Sequence, residues 1–169
     1  MMLTIRKACL KDYQTIVTIM RKSATEEELA GFVPPEGIAP KFLRELKVNL
    51  KREKHGIIIA EIDAVPVGFA YYCFRKDSVE IEEVDVVKPY QGQGIGKTLV
   101  QHIENAAKEK RLAQLVTGTS VNEEGKPWRA YGFWSRMGFI DTGERIDGPH
   151  GLKYVRLVKK LHPLTRKRK

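Results

Sequence analysis

Apolar and polar residues alternate from Leu3 to Lys7, the period-two signature of a half-buried edge strand. From Lys11 to Arg21 the period changes, because Tyr13, Ile16, Val17 and Met20 fall at helical spacing, and a first helix is predicted there. The stretch Ala30 to Pro40 carries three prolines and two glycines, which break either period and predict a loop between helices. Phe42, Leu43, Leu46 and Leu50 then mark a second helix whose outer face is strongly basic.

Three β-rich runs follow, Ile57 to Asp63, Val67 to Phe74 and Val79 to Val87, joined by the short connections AVP and RKDS. Connections of that length predict hairpins and antiparallel neighbours. Ile95, Leu99, Ile103 and Ala106 or Ala107 form an apolar stripe at helical spacing that ends near Lys110, and Leu112 to Ser120 reads as a strand. Strand, helix, strand in that order is a βαβ unit, so the strands 79–87 and 112–120 are predicted to be parallel with a right-handed crossover.

Pro127 at a first-turn position opens another predicted helix through Arg136, closed by Gly138. Phe139 to Ile146 and Lys153 to Leu161 flank the turn DGPHG and predict a closing hairpin. The fold class is α/β with a mixed, mostly antiparallel sheet, one parallel pair and about four helices. The chain has 169 residues, of which 42% are apolar, enough for one substantial core. We read residues 1–162 as a single domain and residues 163–169 as a basic C-terminal tail.

Charge narrows the partners only slightly. The formal charge is +9, and Arg166, Lys167, Arg168 and Lys169 supply four of it, which leaves +5 for the body. Such a balance suits a polyphosphate-bearing cofactor as well as nucleic acid; of the two, nucleic acid is disfavoured, because only YYCFRK interleaves aromatic with basic residues. Cys9 and Cys73 lack CxxC spacing, and His55, His102, His150 and His162 are scattered without ligand spacing, so no metal site is expected. No apolar run reaches the roughly 20 residues that a membrane helix needs, and the N-terminus lacks a signal peptide's apolar region. A cytoplasmic protein is expected, and the pattern allows a homodimer.

The chemistry-bearing stretch is KPYQGQGIGKT, Lys88 to Thr98, with three glycines on alternate residues between a strand and a helix. A phosphate loop needs bare amides and positive φ angles, which glycine permits, and a helix start adds the positive end of the macrodipole. A Walker loop would need glycine where Gln91 stands, and a dinucleotide fingerprint would need glycine where Lys97 stands. Both spacings fail.

A third pattern, Gln or Arg, two residues, Gly, one residue, Gly or Ala, is met by Gln91, Gly94 and Gly96. The segment IEEVDVVKPYQGQGIGKTLVQHIE, Ile81 to Glu104, resembles the acetyl-CoA binding motif of the GNAT family of N-acetyltransferases, and the order of elements along the whole chain resembles that fold. The resemblance implies that acetyl-CoA is the cosubstrate and a primary amine the acceptor. It implies that backbone amides of Gln91, Gly92, Gln93, Gly94, Ile95, Gly96, Lys97 and Thr98 cradle the pyrophosphate. Main-chain groups of Val86, Val87 and Lys88 would meet the pantetheine arm, and the two parallel strands would splay to admit the thioester. A non-catalytic acyl-CoA binding module is the competing reading.

The family's later segment is matched in type and order by Asn122, Ala130, Phe133, Gly138 and Phe139, although the run between Asn122 and Ala130 is long. Where the family commonly has a tyrosine that protonates the leaving thiolate, this sequence has Trp134, whose indole donates a hydrogen bond but delivers no proton. Trp134 then steadies the sulfur or packs against the coenzyme. Tyr131 and Tyr90 are the candidate substitutes, and a thiol of pKa about 8.5 also leaves unaided near neutral pH.

An alkylamine with a pKa near 10.4 must lose a proton before it attacks. The candidate bases are Glu83 and Glu82, in that order, with Asp85 beside them. Alternation puts Glu82 on the face of Val84 and Val86 and Glu83 and Asp85 on the opposite one; if the even positions point into the core, Glu83 looks outward, and a bulge would reverse this. Trp128 and Arg129 either pack in the core or on the surface, the favoured reading, or border the substrate entrance; Phe32 lines the acceptor wall or belongs to an inert connection, and Glu26, Glu27 and Glu28 offer a local acidic rim.

Overall fold

The computed structural model describes residues 2–25, 28, 40–147 and 153–162. Its elements are β1 (Leu3–Lys7), α1 (Tyr13–Ser23), α2 (Pro40–Asn49), β2 (His55–Ile62), β3 (Val65–Phe74), β4 (Ser78–Val86), α3 (Ile95–Glu109), β5 (Gln114–Val121), α4 (Ala130–Arg136), β6 (Ile140–Asp147) and β7 (Lys153–Lys160). The strands form one sheet in the order β1-β2-β3-β4-β5-β7-β6. All neighbours are antiparallel except β4 and β5, which are parallel, as the intervening helix requires.

Each face of the sheet carries its own core. On one, Leu99, Val100 and Ile103 of α3 are fully buried against Ile58, Ala60, Ala70, Val79, Ile81 and Leu115. On the other, Ile16 and Ile19 of α1 and Leu46 of α2 cover Ile57, Ile59, Phe69 and Tyr71. Because β2 feeds both cores, its sequence reads as a continuous apolar run rather than an alternation. Each of these buried Leu, Ile and Phe side chains contributes roughly 1.5–3 kcal/mol.

The β2–β3 connection is a two-residue turn with positive φ at Asp63 (49°) and Ala64 (64°), the geometry that matches strand twist. Near that same end of β2, Arg6 donates to both carboxylate oxygens of Asp12 (2.9 and 2.8 Å) and to Glu61 (2.7 Å). This ties β1 and β2 to the start of α1 and holds the Asp12 carboxyl well below its usual range.

One predicted boundary is corrected. Pro127 does not open a helix: it forms an isolated bridge with Val121, and α4 starts at Ala130. The reason is a tight turn, in which the Asn122 carbonyl accepts from the Gly125 amide (2.9 Å) and its side-chain oxygen from the Lys126 amide (2.8 Å). That turn also accounts for the long run between Asn122 and Ala130. Gly138 does cap α4: it has φ +87°, with Phe139 N donating to the Trp134 carbonyl at 3.1 Å. Phe32, Glu26, Glu27, most of the predicted 30–40 loop and the tail 163–169 lie outside the described residues.

Candidate active site

Two irregularities in the sheet create the site. First, β4 and β5 pair only from Ser78↔Gln114 to Ile81↔Thr117. Beyond that point β4 stays with β3 up to Gly68↔Val86, while β5 stays with β7 up to Val121↔Lys153. The last link across is Thr117 Oγ1 donating to the Ile81 carbonyl at 3.0 Å. A gap therefore opens between the C-terminal halves of the two parallel strands.

Second, β4 is bulged beside the gap. Tyr71 stands opposite Glu83, but Tyr72 stands opposite Ile81, so Glu82 is the extra residue. Val79 and Ile81 face the α3 core before the bulge, and Val84 and Val86 pack against it afterwards. Glu83 and Asp85 consequently face the α1/α2 side. The bulge is present, and Glu83 lies on the face opposite Val84 and Val86.

This face is demanding for carboxylates. Burial, then the neighbouring Asp85 and Glu82, push the Glu83 carboxyl well above its ordinary range. Asp85 is pushed up to about 6 by burial, against the Ser23 hydroxyl and the Arg129 cation, which pull it down. Glu83 also lies close enough to Tyr154 of β7 to add to the rise that burial gives that phenol. Glu82 is raised chiefly by burial, but its partner is Arg75, at 3.7 Å.

The glycine loop follows β4 through a short turn, Lys88–Tyr90. Gly92 (φ +78°) and Gly94 (φ +83°) occupy the left-handed region, and a Cβ on either would meet nothing within 4 Å. Backbone conformation, not space, demands glycine there. Gly96 is different: its Cβ would meet the Phe133 ring at 3.4 Å. The Gln91 amide donates to the Lys88 carbonyl and the Thr98 amide to the Gly94 carbonyl, so these two are spent within the chain. Among the described residues, the amides of Gly92 to Lys97 have no acceptor. Six adjacent donors at the head of a 15-residue helix form an anion-binding surface.

Val87 donates its amide to the Val67 carbonyl at 2.9 Å, so the preceding Val86 amide points the other way, toward the gap. The Val86 carbonyl accepts from Gln91 Nε2 (2.8 Å), which also donates to the Ser23 carbonyl (2.6 Å). Arg129 Nη2 reaches the same Ser23 carbonyl (3.0 Å), and its Nη1 pairs with Glu28 (2.8 Å), which also holds Lys88 Nζ (2.9 Å). The end of α1 is thus clasped to the glycine loop and to the start of α4. The sequence reading offered Arg129 at the entrance and Glu28 on a rim but had no signal for this clasp, since its long-range pairs lie 60 to 106 residues apart.

Other predicted residues sit elsewhere. Trp134 is buried in the α3-side core, edge-on to Phe133 (4.9 Å) and Phe139 (5.0 Å). It supports the loop from behind, through Phe133 and Gly96. Tyr131 donates its hydroxyl to Asp141 of β6 (3.3 Å), and no contact joins it to Glu82 or Glu83 among the described residues. Asn122 is spent on its own turn.

A sheet whose one parallel pair diverges beside a glycine-headed helix is the architecture of an acyl-CoA N-acyltransferase. The model of the acetyltransferase (GNAT) family matches residues 19–139, and the chain belongs to that family. It is 31% identical to the peptidyl-lysine N-acetyltransferase YjaB of Salmonella typhimurium, over 85% of this chain and 87% of that one. It is 28% identical to the 5-NmdU N-acetyltransferase of Pseudomonas phage PaMx11, over 87% and 94% respectively. The fold matches the Escherichia coli ribosomal-protein-S18-alanine N-acetyltransferase (TM-score 0.74, 14% identity, 99% of each chain). It also matches the PaiA N-acetyltransferase of Thermoplasma acidophilum, solved with coenzyme A (TM-score 0.70, 19% identity, 95% and 100%). The protein is an acetyl-CoA-dependent N-acetyltransferase that acts on amines.

Proposed function

We propose that Glu83 is the general base of this acetyl transfer, acting on a primary amine that enters from the α1/α2 side. The observation that carries the reading is the end of β4–β5 pairing at Ile81 and Thr117, with Glu83 two residues past it on the bulged strand. A carboxyl raised above its ordinary range is a better proton acceptor from an ammonium than an exposed one. The ammonium gives one proton to Glu83 directly or through water, the neutral nitrogen attacks the thioester carbonyl carbon, and the second nitrogen proton passes to solvent as the tetrahedral adduct collapses. The carbon–sulfur bond then breaks, and the electron pair leaves on the thiolate.

The residues divide the remaining work. The amides of Gly92 to Lys97 suit the coenzyme pyrophosphate, and the main chain of Val86, Val87 and Lys88 suits the pantetheine arm as an added strand would. The Val86 amide is directed where it would stabilise the oxyanion. Tyr131, tied to Asp141, takes no part in this scheme, and the thiolate leaves unaided near neutral pH. The core position of Trp134 gives a packing reason for its presence, which removes the motive for reading it as lost chemistry. Among the described residues no helix is long and apolar enough to cross a membrane, and we place the reaction in the cytoplasm.

The test is a thiol-release screen across small amines, peptide N-termini and lysine peptides, with Glu83→Gln and Glu82→Gln alongside. Loss of release in Glu83→Gln with acetyl-CoA binding intact is expected. Failure of the wild type to bind acetyl-CoA at millimolar concentration, measured by calorimetry, would overturn the scheme.

A further inference from the structure

A cavity of about 330 Å³ lies away from the gap, between the end of α2, the α2–β2 connection and the β3–β4 turn. Arg44, Arg52, Lys54 and Arg75 line it, Asn49 and His55 form its inner wall, and Glu45 is its single lining carboxylate. Arg75 is committed to Glu80, to which its Nε donates at 2.7 Å, and to Glu82. Arg44, Arg52 and Lys54 have no carboxylate partner among the described residues. Three unmatched cations around one concavity leave its charge uncompensated.

The inner wall is polar and ordered. Asn49 is 8% exposed and donates its amide nitrogen to the Tyr71 hydroxyl (2.6 Å), which lies 3.1 Å from His55 Nδ1. One tautomer that fits these contacts has the phenol donating to Nδ1 and the ring proton on Nε2. Among the described residues, Nε2 has Cys73 Sγ at 3.9 Å, a poor acceptor. Burial, then Lys54, Arg52 and Arg75, push the His55 imidazole down. The ring thus registers the positive potential of the cavity and stays neutral.

We propose that this cavity binds a phosphate group, held by Arg44, Arg52 and Lys54, with the His55 Nε2–H as a neutral donor. A tetrahedral dianion offers acceptors in several directions and matches converging guanidinium forks. A single carboxylate would leave most of the charge unmet. The site is distinct from the glycine loop, and the proposal does not rest on the assignment of the base.

The experiment is a nuclear magnetic resonance titration of the full chain without coenzyme, following the His55 ring and the amides of Gly92, Gly94 and Gly96. Inorganic phosphate is one arm and adenosine 5′-monophosphate the other. A saturable shift of the His55 ring is expected at or below roughly 10 mM. A shift with phosphate alone assigns the free ion, and a shift with the nucleotide at equal or better affinity assigns a phosphomonoester. Arg52→Gln/Lys54→Gln, both exposed positions, keeps the wild-type melt. It should weaken binding about tenfold or more, since two of the charge-assisted donors are lost. A silent His55 ring in both arms, shifts confined to the glycine loop, or unchanged affinity in the double variant would each refute the site.

Discussion

Glu83 of β4 stands opposite Tyr71 of β3, whereas one step along the ladder Ile81 stands opposite Tyr72. The single extra residue, Glu82, turns the rest of β4 over, so that Val84 and Val86 pack toward α3 and the two carboxylates after the bulge face α1 and α2. Without it, alternation would bury Glu83 against the α3 core, where an unpaired carboxylate is costly.

The first prediction concerns the base. Glu83→Gln should lower kcat by about 10²–10⁴-fold, the usual contribution of a positioned general base, with the dissociation constant of acetyl-CoA unchanged. Glu82→Gln should stay close to wild type, because Glu82 is held by Arg75. Initial rates of thiol release decide between them, and a fully active Glu83→Gln would move the role to Asp85 or Glu82.

The pH profile follows from the same carboxyls. Glu83 must be ionised to accept a proton, and it is raised well above its ordinary value, so the acid limb of kcat/KM should lie above the roughly 4.3 of an ordinary glutamate. Arg129 pulls Asp85 down, and a protonated Asp85 no longer repels charge on Glu83. Arg129→Gln should therefore change the shape and position of the acid limb, while a mutation at the distant Lys76 should not.

Stability should carry the opposite signature to acid denaturation. Asp85 titrates at about 6 in the folded state against an unperturbed 3.8, so the folded protein binds more protons than the unfolded chain between those values. Its contribution to stability is largest below about pH 4, falls as pH rises through the window, and is at its worst above about pH 6. Asp85→Asn should raise the melting temperature at pH 7 to 8 relative to wild type and lose that advantage near pH 4, in melts at matched ionic strength.

The loop glycines separate two kinds of constraint. Gly94→Ala keeps open space around the new methyl but forces a left-handed residue, costing roughly 1–2 kcal/mol, and acetyl-CoA binding should weaken as the amides shift. Gly96→Ala has an ordinary backbone and meets Phe133 in van der Waals contact at 3.4 Å, so it should cost less than Gly94→Ala, and any cost should shrink in Gly96→Ala/Phe133→Leu. A double-mutant cycle on coenzyme affinity and melting temperature measures that coupling.

Trp134 should prove structural. Trp134→Ala, which empties a buried site between Phe133 and Phe139, is expected to cost about 3–5 kcal/mol. Trp134→Phe should retain most of the turnover in a thiol-release assay, and a large loss of kcat at unchanged stability would restore a role for the indole in catalysis.

The sequence by itself determined the element order, the parallel β4–β5 pair and the glycine loop, because hydrophobic period, strand–helix–strand order and positive-φ demand at Gly92 and Gly94 are local or nearly local properties. Tertiary structure decided the rest. Which face Glu83 takes depends on a ladder register shared with Tyr71, and the clasp of Ser23, Glu28, Gln91 and Arg129 depends on contacts between residues distant in the chain. Pro127 fits a helix start in isolation, yet the turn at Asn122 carries it back against Val121. Trp134 reads as a coenzyme contact from its place in a motif, and only its packing between Phe133 and Phe139 in the α3-side core encloses it. Local preference sets what a segment can be; the partners brought to it by the fold set what its side chains do.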